Sequence, residues 1–135
     1  AHKGPAVVSV YTTCQPEHGV ADHVSFERSN VAMASRAWPI FIYDPNKGPR
    51  FSDRWDLRGN PSPERDWHRK KNEEGEWEDL KFRHFAMGEG RFRKQFDKDG
   101  NPSDIILVAE DDRVSFWNRL QDMAGIERTI PEDGA

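Results

Sequence analysis

The sequence predicts an α/β fold, and three observations carry that expectation. Two short runs of β-forming residues stand out, Val7-Val8-Ser9-Val10-Tyr11 and Ile40-Phe41-Ile42-Tyr43. Between them lies a stretch of small side chains with apolar residues at near-helical spacing, and turn-forming residues bound each run. Strand, loop, helix and strand in that order make a βαβ unit, with a right-handed crossover and two parallel strands.

The first strand is bounded by Gly4-Pro5 and by Pro16, and it runs into a polar loop that carries the chain's only cysteine, Cys14. Chemistry in an open α/β sheet collects beyond the carboxyl ends of the strands, so Cys14, Glu17 and His18 stand where a site would be built. Gly19 can supply a backbone angle that other residues resist, and Asp22 or Ser25 can cap a helix running to about Ala37. Val24, Val31, Ala34 and Trp38 mark its apolar spacing, while Ser29, Ala32, Ser35 and Ala37 keep it slim enough to lie close on a sheet. Pro39 stops it. The second strand, Ile40 to Tyr43, ends at the turn signal Asp44-Pro45-Asn46-Lys47-Gly48. Both strands are apolar on both faces, so the unit needs neighbours.

From Pro49 to Leu80 the charges alternate without a sustained period. Phe51, Trp55 and Leu57 suit a short extended piece over the core. The block Glu64 to Glu78 reads as solvated loop with Trp67 and Trp77 as anchors. Phe82, Phe85, Met87, Phe92 and Phe96 then suit a short amphipathic helix interrupted at Gly88 or Gly90. After the turn Gly100-Asn101-Pro102, Ser103 or Asp104 caps a last helix from about Ile105 to Ala124, with Ile106, Ala109, Val114, Trp117, Leu120 and Ala124 on one face and Gly125 as its C-terminal cap. A strand over Ile105 to Val108 is the alternative. The organisation expected is one incomplete domain: a strand-loop-helix-strand core over 1–48, a polar insertion and short helix over 49–102, and a closing helix and tail over 103–135.

Composition narrows the function classes. Only 35% of the 135 residues are hydrophobic, 33% are charged and the mean hydropathy is −0.94, lean against the roughly 45–50% apolar content of ordinary domains. That shortage suggests apolar surface completed by another chain or segment. A net charge of −4 argues against a duplex nucleic-acid binder. A single-strand platform built from Trp55, Trp67 and Trp77 with their neighbouring Arg and Lys residues is opposed by the acidic residues interleaved there. One cysteine cannot form an internal disulfide, and no apolar run approaches the roughly 18 residues of a membrane span, so a cytoplasmic protein is expected.

Cys14, Glu17, His18 and His23 can be weighed as nucleophile, zinc site or cluster ligand. A Cys–His couple lacks an accompanying oxyanion motif. A structural zinc site wants four ligands, commonly with paired cysteines, against one cysteine and five scattered histidines here. An iron–sulfur cluster wants thiolates, usually four, and this chain can give one. A lone cysteine after a strand is otherwise a small hydrophobe. No Gly-rich phosphate cradle is present, and His68 and His84 sit in polar context that suggests the surface.

The order of several motifs resembles the C-terminal part of the thiamine-diphosphate-binding region of pyruvate:ferredoxin (flavodoxin) oxidoreductases, within the 2-oxoacid:ferredoxin oxidoreductase family. Those motifs are Gly4 to Tyr11, Thr13-Cys14, His18-Gly19, Ser35-Arg36-Ala37-Trp38-Pro39, Ile40 to Pro45, Phe82 to Phe92 and Glu110 to Gly125. Phe82-Arg83-His84-Phe85-Ala86-Met87-Gly88-Glu89-Gly90-Arg91-Phe92 is similar to the family's Phe-x-x-Phe-x-x-Gly-Glu-x-Arg-Phe segment. Arg50 to Asp79 offers less to compare and looks like an insertion.

The resemblance implies a piece of a doubly wound thiamine-diphosphate-binding fold. It also implies that Cys14, in the Tyr-x-x-Cys element, is the last ligand of the 4Fe-4S cluster nearest the thiamine. The His18-Gly19 spacing is kept only approximately, which suggests loop shape. The family's Gly-Asp-Gly to Asn-Asn segment, which holds Mg2+ and the diphosphate, would lie before residue 1, as would the other cluster cysteines. The implied protein is an oxidoreductase that takes a 2-oxoacid, pyruvate first, with CoA to acyl-CoA and CO2 and passes electrons to ferredoxin or flavodoxin. This chain would be inactive without the remainder of that enzyme. The other expectation is a non-catalytic interaction domain with a packed structural cysteine.

Overall fold

The computed structural model describes residues 3–129, so the last residues of the expected tail lie outside the described residues. Helix and small antiparallel strands are mixed. Among the described residues, α1 (Gln15–His18) and α2 (Ser25–Ala34) come first, the short strands β1 (Ile42–Tyr43), β2 (Trp55–Asp56), β3 (His68–Lys71) and β4 (Trp77–Leu80) follow, and α3 (Phe82–Met87) and α4 (Asp104–Ala124) close the order. Short 3-10 turns occupy Asp22–Val24, Ser52–Arg54 and Gly90–Gln95.

α4 is the spine, and it runs where the sequence places it, as a helix through Ile105 to Val108. Gly125 ends it in the left-handed region at φ 66°, its N–H turned back to the helix carbonyls. Its two ends serve two small cores. Near the start, Ile106 packs with Ala32, Phe82, Phe85 and Ala86, and further along Trp117 and Leu120 pack with Leu57. At 1.5 Å per residue the two centres are roughly 16 Å apart along the helix. Between them Glu110 receives Arg83 in a fork, with Nε and the backbone N–H donating to Oε2 at 2.9 and 3.2 Å and a terminal nitrogen donating to Oε1 at 2.6 Å. Burial works against the Glu110 carboxylate, but the Arg83 hydrogen bonds outweigh it and hold the carboxyl below its usual range.

The parallel βαβ unit is not formed among the described residues. Val7 to Tyr11 forms no strand and pairs with no described strand, and Val7, Val8 and Val10 are 94, 83 and 74% exposed. A parallel strand needs a partner on its edge and cover on both faces, and the described chain supplies neither. The second expected strand shortens to β1, which pairs antiparallel with β2 through Ile42↔Asp56 and Tyr43↔Trp55. Ile40 is held by a side chain instead: its N–H donates to Asn60 Oδ1 at 2.8 Å, and Asn60 Nδ2 donates back to its carbonyl.

Glu64 to Glu78 is not the solvated loop expected. Arg36 ends α2 in the left-handed region at φ 58° and is fully buried. Its Nε donates to the Asp66 carbonyl at 3.1 Å. One terminal nitrogen donates to those of Pro61, Ser62 and Arg65 at 3.1, 2.9 and 3.2 Å. The guanidinium also lies over Trp117, 4.0 Å from the ring centre, and the indole N–H of Trp117 donates to the Arg65 carbonyl at 2.8 Å. Burial pulls the Arg36 pKa down to about 10, against the pull of Glu64 and Asp66, which leaves it charged at neutral pH. Beyond this knot β3 and β4 form a hairpin, with Arg69 and Asp79 facing each other at 3.6 Å and Lys70 and Glu78 likewise at 3.6 Å. Trp77 is 57% exposed on that hairpin and anchors nothing beneath it; Lys71 rides over its ring.

Trp117→Ala is expected to cost about 3–5 kcal/mol in chemical denaturation, since it empties a closed site between two elements. Trp117→Phe should cost about 1 kcal/mol, because Arg36 and Gln121 still donate to the Arg65 carbonyl. Equal losses for the two variants would contradict this account of the Arg36 knot.

Candidate functional site

Cys14 stands at the end of the extended Val7–Thr13 segment, at the N-cap of α1. Its backbone is extended (φ −124°, ψ 112°), Pro16 lies within the first turn, and the side chain makes no capping hydrogen bond. The thiol is free and only half-buried. α1 is a single turn closed by the His18 N–H to the Cys14 carbonyl at 2.8 Å and the Gly19 N–H to the Gln15 carbonyl at 2.9 Å. Gly19 exits in the left-handed region, at φ 61°.

Of the four residues singled out in this region, Glu17 and His23 point into solvent, while His18 is turned inward. It meets Glu89. Glu89 is 1% exposed and is the point on which the loop is seated. His18 Nδ1 lies 3.2 Å from Glu89 Oε2 and Arg91 Nε lies 3.3 Å from the same oxygen. On the other oxygen, the Tyr11 hydroxyl donates to Oε1 at 3.4 Å and Arg28 Nε stands 4.0 Å away. Neither His18 nor Arg91 aims an N–H at Oε2 well enough for a hydrogen bond, so these are close approaches without alignment. Arg28 is fixed by its own donation to the Phe85 carbonyl.

A second contact locks the same loop at the backbone. A Cβ added to Gly19 or to Gly90 would meet the other glycine's Cα at 3.0 Å, so the two chains touch with nothing between them. The Tyr11 ring packs on His18, Trp38 and Phe85, with centroids at 6.3, 6.0 and 6.2 Å. A cavity of about 550 Å³ opens beside it, lined among others by Tyr11, His18, Trp38, Phe85, Arg91 and Phe92.

Sequence reasoning found Cys14 and His18 but missed the carboxylate that organises them. Glu89 sat in a quoted motif, and only its place between Gly88 and Gly90, where a backbone can approach closely, hinted at burial. His84 and His68, expected at the surface, are part-buried. His84 Nδ1 accepts the Lys81 N–H at 2.9 Å at the start of α3, and His68 Nδ1 lies 3.1 Å from Ser62 Oγ. Burial lowers the pKa of both.

For a metal or cluster, the donor set is a single thiolate. Among the described residues no group of three or more His, Cys, Asp and Glu side chains could hold a metal ion. One cysteine falls short of the four thiolates a cluster usually takes, so the described residues could hold no cluster by themselves. Among the described residues no helix is long and apolar enough to cross a membrane. No protein-family model, curated protein or solved structure matches the chain.

Burial, with Glu89 beside it, raises the Tyr11 pKa above its ordinary value of about 10. The sign follows: below about pH 10 the stabilisation is complete, and it is lost as pH rises through the folded-state value because the unfolded chain gives up the proton first. A phenolate absorbance titration should show one late-ionising tyrosine, and Tyr11→Phe should remove that step. Loss of the earlier-ionising step in Tyr11→Phe, with the late step kept, would place Tyr11 outside the Glu89 contact.

Proposed function

We propose that this chain is the C-terminal piece of a 2-oxoacid:ferredoxin oxidoreductase, in which Cys14 supplies one thiolate to a 4Fe-4S cluster. The observation that carries the proposal is the Val7–Val10 segment, apolar on both faces and unpaired with any described strand, leading directly to a half-buried free thiol. Such a segment suits an interior strand of a doubly wound sheet whose other strands belong to the rest of the enzyme. Two further observations support it. Segments that resemble the family far apart in sequence, Tyr11 to Gly19 and Gly88 to Arg91, meet in space. The thiol is also not spent on capping α1.

In that enzyme thiamine diphosphate with Mg2+ would supply the decarboxylation of a 2-oxoacid, pyruvate first among them, and the clusters would carry electrons singly to ferredoxin or flavodoxin as acyl-CoA forms. This chain's residues hold no motif for the diphosphate. Their part is to present the Cys14 sulfur at a fixed place, to bury the base of its loop on Glu89, and to offer Val7 to Val10 as sheet.

A second reading, a non-catalytic interaction domain, is favoured by the exposed aromatic group of Phe41, Tyr43 and Phe51 around Trp55, with centroids 4.8–6.4 Å apart. Iron and sulfide analysis of the intact parent, purified without oxygen, separates the two, because a scaffold has no reason to hold either. In that parent, Cys14→Ala is expected to lower the iron content and to abolish or alter the electron paramagnetic resonance signal of one cluster. An unchanged iron count with an unchanged signal would reject the ligand assignment.

A further inference from the structure

We infer that Glu89 and Gly90 are the positioning pair for the Cys14 thiol: together they form a clamp that fixes the Tyr11–Gly19 loop while the rest of the fold stands independently of it. The electrostatic part of this inference rests on the cluster-ligand proposal; the clamp itself does not.

The loop has little else to hold it. α1 is one turn, and its Gln15, Pro16 and Glu17 are exposed. Beside the packing of the Tyr11 ring on Trp38 and Phe85, its polar attachments converge on one side chain. Tyr11 precedes the cysteine by three residues and His18 follows it by four, and both reach the Glu89 carboxylate, one on each oxygen. The loop is thus pinned on both sides of Cys14 by a single side chain. Gly19 then lies against Gly90, where a Cβ at either position would come within 3.0 Å of the other glycine's Cα and push the two segments apart. Glu89 also faces Arg28 and Arg91, so its own place is set by charge from α2 and from the following turn. Replacing it with a neutral group would leave the Arg28 and Arg91 guanidinium groups gathered without their counter-ion. The loop, rather than α4 and its cores, is the part free to move in response.

The test uses this chain first. Glu89→Gln keeps the size and removes the charge, Gly90→Ala breaks the backbone approach and leaves the charge, and His18→Gln loosens one side of the loop without touching the buried carboxylate. Each is expected to raise the rate of Cys14 alkylation in native buffer about tenfold, as expected for a locally opened loop. Each should also speed hydrogen exchange at the amides of His18, Gly19 and Val20. Exchange in α4 stays slow. Combining Glu89→Gln with His18→Gln should add little to either alone, because both break one contact. If His18→Gln leaves alkylation and exchange unchanged, or if all three variants speed exchange in α4 as much as in the loop, the clamp is overturned and Glu89 is a general brace of the core.

In the parent enzyme Glu89→Gln removes a negative charge from the base of the loop that carries the proposed ligand, so the cluster's reduction potential should move to a more positive value, with Glu89→Asp restoring most of the difference. A potential unchanged in Glu89→Gln would overturn the electrostatic part. Loss of the cluster assignment itself would be recognised separately, by intact iron in Cys14→Ala, while the loop's response in the isolated chain would still stand.

Discussion

The carboxylate of Glu89 is taken out of water, and the seating of the Tyr11–Gly19 loop follows from having to compensate it. A lone ionised carboxylate in an apolar interior costs several kcal/mol even after relaxation. Here Arg28 of α2, Arg91 of the following turn, His18 and the Tyr11 hydroxyl converge on it from three separate stretches. None is a well-aligned fork, in contrast to Arg83 on Glu110. The compensation is therefore collective, and it fixes the cysteine loop against α2 and α3 without a sheet. Gly19 and Gly90 make this possible, since only bare backbones let the loop come near enough.

A second buried charge performs the matching task further along α4. Arg36 has no carboxylate within hydrogen-bonding reach and is met instead by four carbonyls of residues 61–66 and the face of Trp117. Neutral dipoles hold a cation less firmly than a counter-ion does, and burial accordingly brings its pKa down to about 10. A chain with 35% hydrophobic residues cannot wrap these loops in aliphatic side chains. It folds them around ions, and α4 joins the two knots.

What the sequence made legible is what local pattern encodes. α4, its glycine cap and the break after α3 follow from spacing and from Gly88, Gly90 and Gly125. The β3–β4 hairpin was read as loop because neither of its faces is apolar. Its signal lay in charge alternation, Arg69-Lys70 against Glu78-Asp79, around Asn72 and Gly75. The burial of Glu89 and Arg36 could not be read at all. A local pattern says that a residue is charged, and only the folded chain says what surrounds it. The buried strand expected before Cys14 is not formed, and the seat of the cysteine loop depends on residues more than seventy positions away, beyond any sequence window.

Val7, Val8 and Val10 remain the part the described fold does not use. Fully burying a valine contributes roughly 1.5–3 kcal/mol, and these three forgo most of it. Collecting that stabilisation would take a surface that covers both faces of the segment, and no described strand pairs with it. The clamp proposed above would act at the near end of the same segment, where Tyr11 and His18, on either side of Cys14, both reach the buried Glu89 carboxylate.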